Sequence, residues 1–96
     1  MTRGIKVLIA CDVINTYSDV INERIRETNT RHFKLYVGDF VNYTFQLFKN
    51  NGWNPKLDSP DEVYAILKSV LCLCFQANGI DGTAEWSDDM NYICVI

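Results

Sequence analysis

The chain predicts one α+β domain, in which three helices pack on a small mixed four-stranded sheet. Three observations favour this class. Hydrophobic residues make up 48% of the 96 positions, apolar runs of strand length alternate with amphipathic stretches of helical period, and one long apolar helix follows the middle of the chain. The predicted order is β-α-β-α-α-β-β in a single globular domain over residues 1–96, with the first and last strands near the middle of the sheet.

The helix over residues 60–78 is the element around which the others are expected to pack. Ser59 can cap its first turn, Pro60 suits its first position, and Gly79 can adopt the left-handed conformation that ends a helix. Between these signals, polar and small side chains form one narrow stripe, and apolar side chains fill most of the remaining circumference. Such a helix must be covered on several sides.

The first half of the chain predicts two strands and two helices. Residues 5–12 (IKVLIACD) form a nearly unbroken apolar run, typical of a buried parallel strand. An amphipathic helix over about 17–28 and an alternating strand over 32–37 follow it. The short links between these elements predict a right-handed parallel crossover. A second amphipathic helix is predicted over about 40–50.

Two short strands are predicted after the central helix, over residues 83–86 and 91–96. The last strand (NYICVI) is so apolar that a free edge would promote aggregation. We therefore expect it either to pair on both sides or to form a homodimer through Asn91–Ile96.

Several kinds of site are excluded by residues that the chain lacks. It has no glycine-rich phosphate loop, no HExxH and no CxxC, and its single histidine excludes most multi-histidine metal sites. Cys72 and Cys74 would point about 200° apart on a helix, so they cannot easily share a metal ion. We therefore predict neither a metal nor a cofactor.

The four cysteines indicate the compartment. Each lies in an apolar run, where reduced and buried cysteines are common, and the N-terminal sequence lacks the features of a secretion signal. The central helix is too short and too polar at its ends to span a bilayer. We therefore expect a cytoplasmic protein that does not associate with membranes.

Charge is distributed unevenly along the chain. The net charge is −3, but residues 1–56 hold eight basic and five acidic side chains, whereas residues 57–96 hold one basic and seven acidic side chains. A solvated hairpin would explain most of the late acids. The functional interpretation is an aromatic anchor, Trp86, ringed by acids that bind a basic protein surface. The ring of acids comprises Asp81, Glu85, Asp88 and Asp89.

Asp12 and Asp39 are the best candidates for catalytic residues. Both are expected at the carboxyl ends of parallel strands, where open α/β sheets bind their ligands. Two carboxylates there could hold Mg²⁺ for phosphoryl or nuclease chemistry. The alternative, which we favour, is that each caps the helix that follows it.

Taken together, these features predict a small acidic protein–protein interaction module rather than an enzyme. It would act as an inhibitor or adaptor that masks a basic site on a nucleic-acid-handling partner. Nuclease immunity proteins and phage counter-defence proteins offer an analogy of size and charge only. Direct nucleic-acid binding is not expected, because Glu23 and Glu27 interrupt the basic residues that cluster over 24–34 and the pI is about 4.9. The alternatives are a magnesium-dependent hydrolase or nuclease using Asp12 and Asp39, and a homodimeric structural module.

Overall fold

The computed structural model describes residues 1–28 and 33–95, which form three helices and one three-stranded sheet. The α+β class and the three helices are confirmed. The predicted element order and the fourth strand are wrong, because the chain begins with a helix where a strand was predicted. In chain order the elements are α1 (Arg3–Thr28), β1 (Phe33–Tyr36), α2 (Gly38–Asn50), α3 (Asp61–Ala77), β2 (Ala84–Trp86) and β3 (Tyr92–Val95).

The stretch predicted as a strand over residues 5–12 is the first half of α1. Thr2 caps the start of this helix, since its Oγ1 accepts a hydrogen bond from the Ile5 N–H at 3.3 Å. The buried side chains of α1 recur at intervals of four or eight residues, which is helical spacing and not strand spacing. They are Ile9, Val13, Ile21 and Ile25.

The physical reason for this wrong prediction lies on the solvent side of α1. Val7 and Leu8 are 53% and 69% exposed, so the first half of the helix is apolar on its outer side as well as on its buried side. An apolar run without a polar face conceals the helical period. The same residues then resemble a strand that is covered on both faces.

The helix α3 occupies the position predicted for the central helix, residues 60–78. At its start, the Asp61 N–H donates to Ser59 Oγ at 3.1 Å. At its end, Gly79 has a φ of 70° and the Ile80 N–H bonds to the Phe75 carbonyl oxygen at 2.9 Å. α3 contacts α1, α2 and the sheet, and its buried side chains are Val63, Leu67, Val70, Leu71, Cys74 and Phe75.

The helices α1 and α3 run parallel and in register. Lys6 Nζ lies 3.4 Å from Glu62 Oε2, and Asn78 Nδ2 donates to Asn22 Oδ1 at 2.9 Å. Both pairs join residues 56 positions apart, so the helices keep one offset over about 24 Å of their length. This shared register lets the two apolar faces meet along the core.

The sheet is antiparallel, with β3 between β1 and β2. The predicted parallel crossover is wrong, because the residues expected to supply its first strand are helical. Of the two alternatives expected for the last strand, the sheet shows pairing on both sides, over Tyr92–Val95. Both backbone edges of Tyr92–Val95 are occupied, so a homodimer through Asn91–Ile96 has no free strand edge in that stretch. Ile96, like His32 of the predicted strand 32–37, lies outside the described residues.

The pleat gives the sheet an inner and an outer face. Leu35, Ile93, Val95 and Ala84 are buried on the inner face, and they join the buried side chains of the helices in one core. Because side chains alternate along a strand, their neighbours lie on the opposite side. We call this opposite side the outer sheet face, which carries Lys34, Tyr36, Glu85, Tyr92 and Cys94.

Candidate functional site

The outer sheet face brings aromatic and charged side chains together at the protein surface. Tyr36 is 48% exposed, and its ring lies edge-on to the ring of Tyr92 with 5.4 Å between the centroids. Lys34 Nζ lies 4.5 Å from the centroid of the Tyr92 ring. The face therefore combines a tyrosine pair with a lysine that makes a cation–π contact with one of the two rings.

Gly38 allows Tyr36 to adopt this position. The phenol of Tyr36 lies so close to the Gly38 backbone that a Cβ atom at residue 38 would overlap it. Arg24 holds the same residue by its backbone, donating from Nη1 to the Tyr36 carbonyl oxygen at 3.1 Å. The exposed tyrosine is thus positioned by the fold, which reduces the entropy that a partner would have to remove on binding.

Opposite charges lie at the two edges of the outer sheet face. Cys94 on the middle strand pairs with Lys34 on one side and with Glu85 on the other. Neighbouring strands are about 4.8 Å apart, so the two charged residues lie on strands roughly 10 Å apart. Glu85 is exposed, so its carboxylate is open to solvent.

The turn between β2 and β3 depends on Asp89. Its Oδ1 accepts hydrogen bonds from Ser87 Oγ at 2.6 Å and from the Asn91 N–H at 3.0 Å. The Ser87 hydroxyl, followed by the Asn91 N–H, lowers the pKa of Asp89, because both donors favour the ionised carboxylate. Asp88 is exposed beside it. Asp89 therefore builds the turn, whereas Asp88 adds charge to its surface.

An open depression of about 470 Å³ joins this turn to the outer sheet face. The turn contributes both aspartates and a serine, and the outer sheet face contributes a lysine and a cysteine. The carboxylates of the turn therefore lie on the same side of the sheet as the tyrosine pair. The residues that line the depression are Lys34, Ser87, Asp88, Asp89 and Cys94.

Trp86, the predicted aromatic anchor, packs against the core and is only partly exposed. Its ring contacts the ring of Tyr64 at 5.2 Å between centroids. A row of rings continues to Phe45 at 5.3 Å and then to Trp53 at 5.4 Å. Trp86 thus joins β2 to α3 and α2, and its contacts are internal to the fold.

The aromatic side chains beside the acids on the outer sheet face are Tyr36, which is exposed, and Tyr92, which is half-buried. Neither was among the predicted site residues. A usable signal was present, because apolar residues alternate with these tyrosines along both predicted strands. The same alternation that identifies the buried side of a strand also identifies the side chains on its opposite surface.

The four acids predicted around Trp86 do not form one group. Glu85, Asp88 and Asp89 lie on the outer sheet face and in the adjoining turn, as described above. Asp81 precedes β2 at the end opposite the turn, where it is exposed. There it lines a cavity of about 110 Å³ between the last turns of α3 and the sheet, together with Cys72 and Phe75. The candidate site therefore includes three of the four acids.

Asp12 was predicted to lie at the end of a strand, but it lies inside α1. Its Oδ1 accepts hydrogen bonds from the Tyr43 hydroxyl at 2.5 Å and from Thr16 Oγ1 at 3.1 Å. The bond to Asp12 raises the pKa of Tyr43, since loss of the phenol proton would break it. The carboxylate links α1 to α2, which is a structural contact.

Asp39 lies in the first turn of α2, three residues after β1 ends. It does not cap the helix as we favoured, because Val37 occupies the cap position and the start of α2 has no side-chain cap hydrogen bond. Its carboxylate binds the guanidinium of Arg24 through two hydrogen bonds, of 2.9 and 2.7 Å. Arg24 lowers the pKa of Asp39, and Asp39 raises the pKa of Arg24. Both shifts express the same mutual stabilisation of opposite charges.

Asp12 and Asp39 do not form the carboxylate pair expected of a magnesium site. Asp39 binds Arg24, which lies twelve residues along α1 from Asp12, or about 18 Å of helix. Among residues 1–28 and 33–95, no group of three or more His, Cys, Asp or Glu side chains is placed to hold a metal ion. The geometry on which the hydrolase or nuclease alternative depended is therefore absent from the described chain.

These features define a small α+β protein whose outer sheet face carries a tyrosine pair, next to a turn that adds two carboxylates. A scan against protein-family models, a search of curated proteins and a search of solved structures each found no match to this chain. None of the described helices is both long enough and apolar enough to cross a bilayer. The functional conclusion therefore rests on the chemistry of the surface itself.

Proposed function

We propose that this protein is a small acidic interaction module that binds and masks a basic protein surface, as an inhibitor or adaptor in the cytoplasm. One observation supports the proposal above the others. The tyrosine pair of the outer sheet face, with Tyr36 exposed and Tyr92 half-buried, lies beside three carboxylates, those of Glu85, Asp88 and Asp89. The two ion pairs in the described part of the chain lie elsewhere, between α1 and the other helices. The three carboxylates are thus available to cations of a partner.

The tyrosine pair would supply contact area to such an interface. Tyrosine is enriched at protein interfaces because it offers a large, rigid and amphipathic surface with few rotatable bonds. The edge-on contact with Tyr92 and the close approach of Gly38 already restrict Tyr36. Binding would therefore remove little additional side-chain entropy.

The carboxylates would supply selection for a basic partner. Complementary charge accelerates encounter and disfavours partners of like charge. The basic surfaces of many nucleic-acid-handling proteins bind phosphates, and a set of carboxylates on a rigid turn can occupy such a surface in their place. We therefore place the partner in that class, in the manner of immunity or phage counter-defence proteins.

Affinity purification from the native host, followed by mass spectrometry, tests this proposal with two matched variants. The first is Glu85→Lys with Asp88→Lys, which leaves the turn bonds of Asp89 intact. The second is Asp19→Lys with Glu23→Lys, which makes the same change of charge on exposed residues of α1. We expect the first variant to lose a basic nucleic-acid-handling protein that the wild type and the second variant retain.

The interaction is then measured with purified components at several salt concentrations, because an interface of exposed charges weakens as salt increases. Both variants should keep the melting temperature of the wild type, since all four replaced residues are exposed and none of the hydrogen bonds or ion pairs described above uses their side chains. Retention of the partner by the Glu85→Lys, Asp88→Lys protein would exclude this face as the binding surface.

A further inference from the structure

Lys34 occupies a position on the outer sheet face that suits a cation from outside the protein. Its Nζ lies 4.5 Å from the centroid of the Tyr92 ring, and its side chain is exposed. Lys34 and Asp89 line the same open depression, so a cation there has an aromatic ring and a carboxylate within its surroundings. This is the combination that binds ammonium and guanidinium groups in proteins.

We propose that the Tyr92 ring and the Asp89 carboxylate form a receptor for an arginine side chain of a partner, and that Lys34 fills this receptor in the free protein. The inference rests on the proposed function and names the chemical group that the outer sheet face recognises. Lys34 is an internal substitute for that group, and binding requires its ammonium to leave the ring.

The receptor has capacity left for a guanidinium. The hydrogen bonds that the Asp89 carboxylate accepts from the Ser87 hydroxyl and the Asn91 N–H both use Oδ1, and the Asn91 side chain also helps to lower the pKa of Asp89. An arginine can therefore donate to Oδ2 without breaking the turn. Its plane can stack on Tyr92 at the same time, because a guanidinium is flat and less strongly hydrated than an ammonium.

The internal lysine is easily displaced. An exposed cation–π contact is weak, and holding a four-carbon side chain over a ring reduces its conformational entropy. Its position nevertheless lowers the apparent affinity of any incoming cation, which must compete for the same ring. Lys34 thus tunes the selectivity of the face toward groups that bind Tyr92 better than an ammonium does.

Titration of the purified full chain with blocked triarginine, followed by NMR of the Tyr92 ring, tests this inference. Blocked trilysine and tricitrulline peptides serve as probes of charge and shape. We expect triarginine to shift the Tyr92 ring signals more than trilysine does, and tricitrulline to leave them unchanged. Lys34→Met should bind triarginine about two- to fivefold more tightly than the wild type, the factor that corresponds to one exposed cation–π contact.

Lys56→Met is the matched control, because it removes one positive charge from an exposed residue away from the ring. Equal affinities of the Lys34→Met and Lys56→Met proteins, or no shift of Tyr92 at millimolar triarginine, would overturn the inference. Equal affinities together with partner capture that depends on Glu85 and Asp88 would reject the arginine receptor and leave the proposed function standing. If Lys34→Met binds triarginine more tightly but partner capture does not depend on Glu85 and Asp88, the proposed function is rejected and the arginine receptor stands.

Discussion

Arg24 and Asp39 form a two-pronged ion pair that joins the last turns of α1 to the first turn of α2, with both contacts within 2.9 Å. The same guanidinium lies 4.7 Å from the centroid of the Phe40 ring and binds the carbonyl oxygen of Tyr36. One arginine therefore connects two helices to the strand that carries the exposed tyrosine. Its loss should affect both stability and the position of the outer sheet face.

Asp39→Asn is expected to lower the free energy of unfolding by about 1 kcal/mol at pH 7. The two side chains are 31% and 39% exposed, so solvent screening keeps the contribution near that of a surface ion pair with good geometry. Urea denaturation measures the change. Asp19→Asn, at an exposed position of α1, is the control and should leave the midpoint nearly unchanged.

The stabilisation by this ion pair should disappear in acid. Arg24 holds the pKa of Asp39 below its usual range, so folding favours the carboxylate. The contribution is fully present above the unfolded-state pKa of about 3.9 and is lost as the pH falls through the lower folded value. The stability difference between wild type and Asp39→Asn should therefore shrink as the pH falls below about 4. A difference that stays constant to pH 2 would contradict the ionic origin of the contact.

Two neighbouring residues test the assignment of residues 5–12 to a helix. Ile9 is 3% exposed and Leu8 is 69% exposed. Ile9→Ala should lower the free energy of unfolding by roughly 2–4 kcal/mol, because it leaves a cavity in the core. Leu8→Ala should change it by less than about 0.5 kcal/mol. Similar large losses for both variants, measured in urea, would favour a strand covered on both faces.

The range over which a sequence signal acts explains why some elements were predicted and others were not. Clear start and end signals at Ser59 and Gly79 located α3, because these signals act within a few residues of the chain. Val7 and Leu8 are apolar although they are exposed, so the first half of α1 lacks a polar face. No other local signal in this stretch distinguishes a helix from a strand. The exposure of Val7 and Leu8 depends on what packs around α1, which the local pattern does not contain.

The candidate site was predicted in part for a similar reason. Exposure of Glu85 and Asp88 follows from their position in and near a hairpin turn, and the sequence indicated it. The burial of Trp86 depends on its contact with Tyr64, a residue of another element. The pairing of Tyr36 with Tyr92 depends on strand register, which joins residues far apart in the chain.

Gly38→Ala should separate the Tyr36 and Tyr92 rings. A Cβ at residue 38 would overlap the Tyr36 phenol, so we expect the ring to swing away and the NMR contact between the two rings to weaken. Loss of the ring contact, worth roughly 0.5–1.5 kcal/mol, should offset the gain of up to about 1 kcal/mol in helix propensity. The net stability change should therefore be small.

The same substitution in a Tyr36→Ala protein tests more directly whether Gly38 positions Tyr36. In a Tyr36→Ala protein no phenol opposes the new methyl group, so Gly38→Ala should stabilise the fold by up to about 1 kcal/mol. Urea denaturation of the four proteins gives the coupling between the two residues. Additive effects would mean that Gly38 does not position Tyr36.

Asp88 and Asp89 should respond differently to replacement, although they are adjacent and both exposed. Asp89→Ala removes the acceptor for Ser87 and Asn91, so the melting temperature should fall. Asp88→Ala should leave the melting temperature unchanged and weaken capture of a basic partner. Because hydrogen bonding lowers the pKa of Asp89, its effect on stability is present above the unfolded-state pKa of about 3.9 and declines as the pH falls below it. Equal thermal shifts for the two alanine variants at pH 7 would mean that the turn does not rely on Asp89.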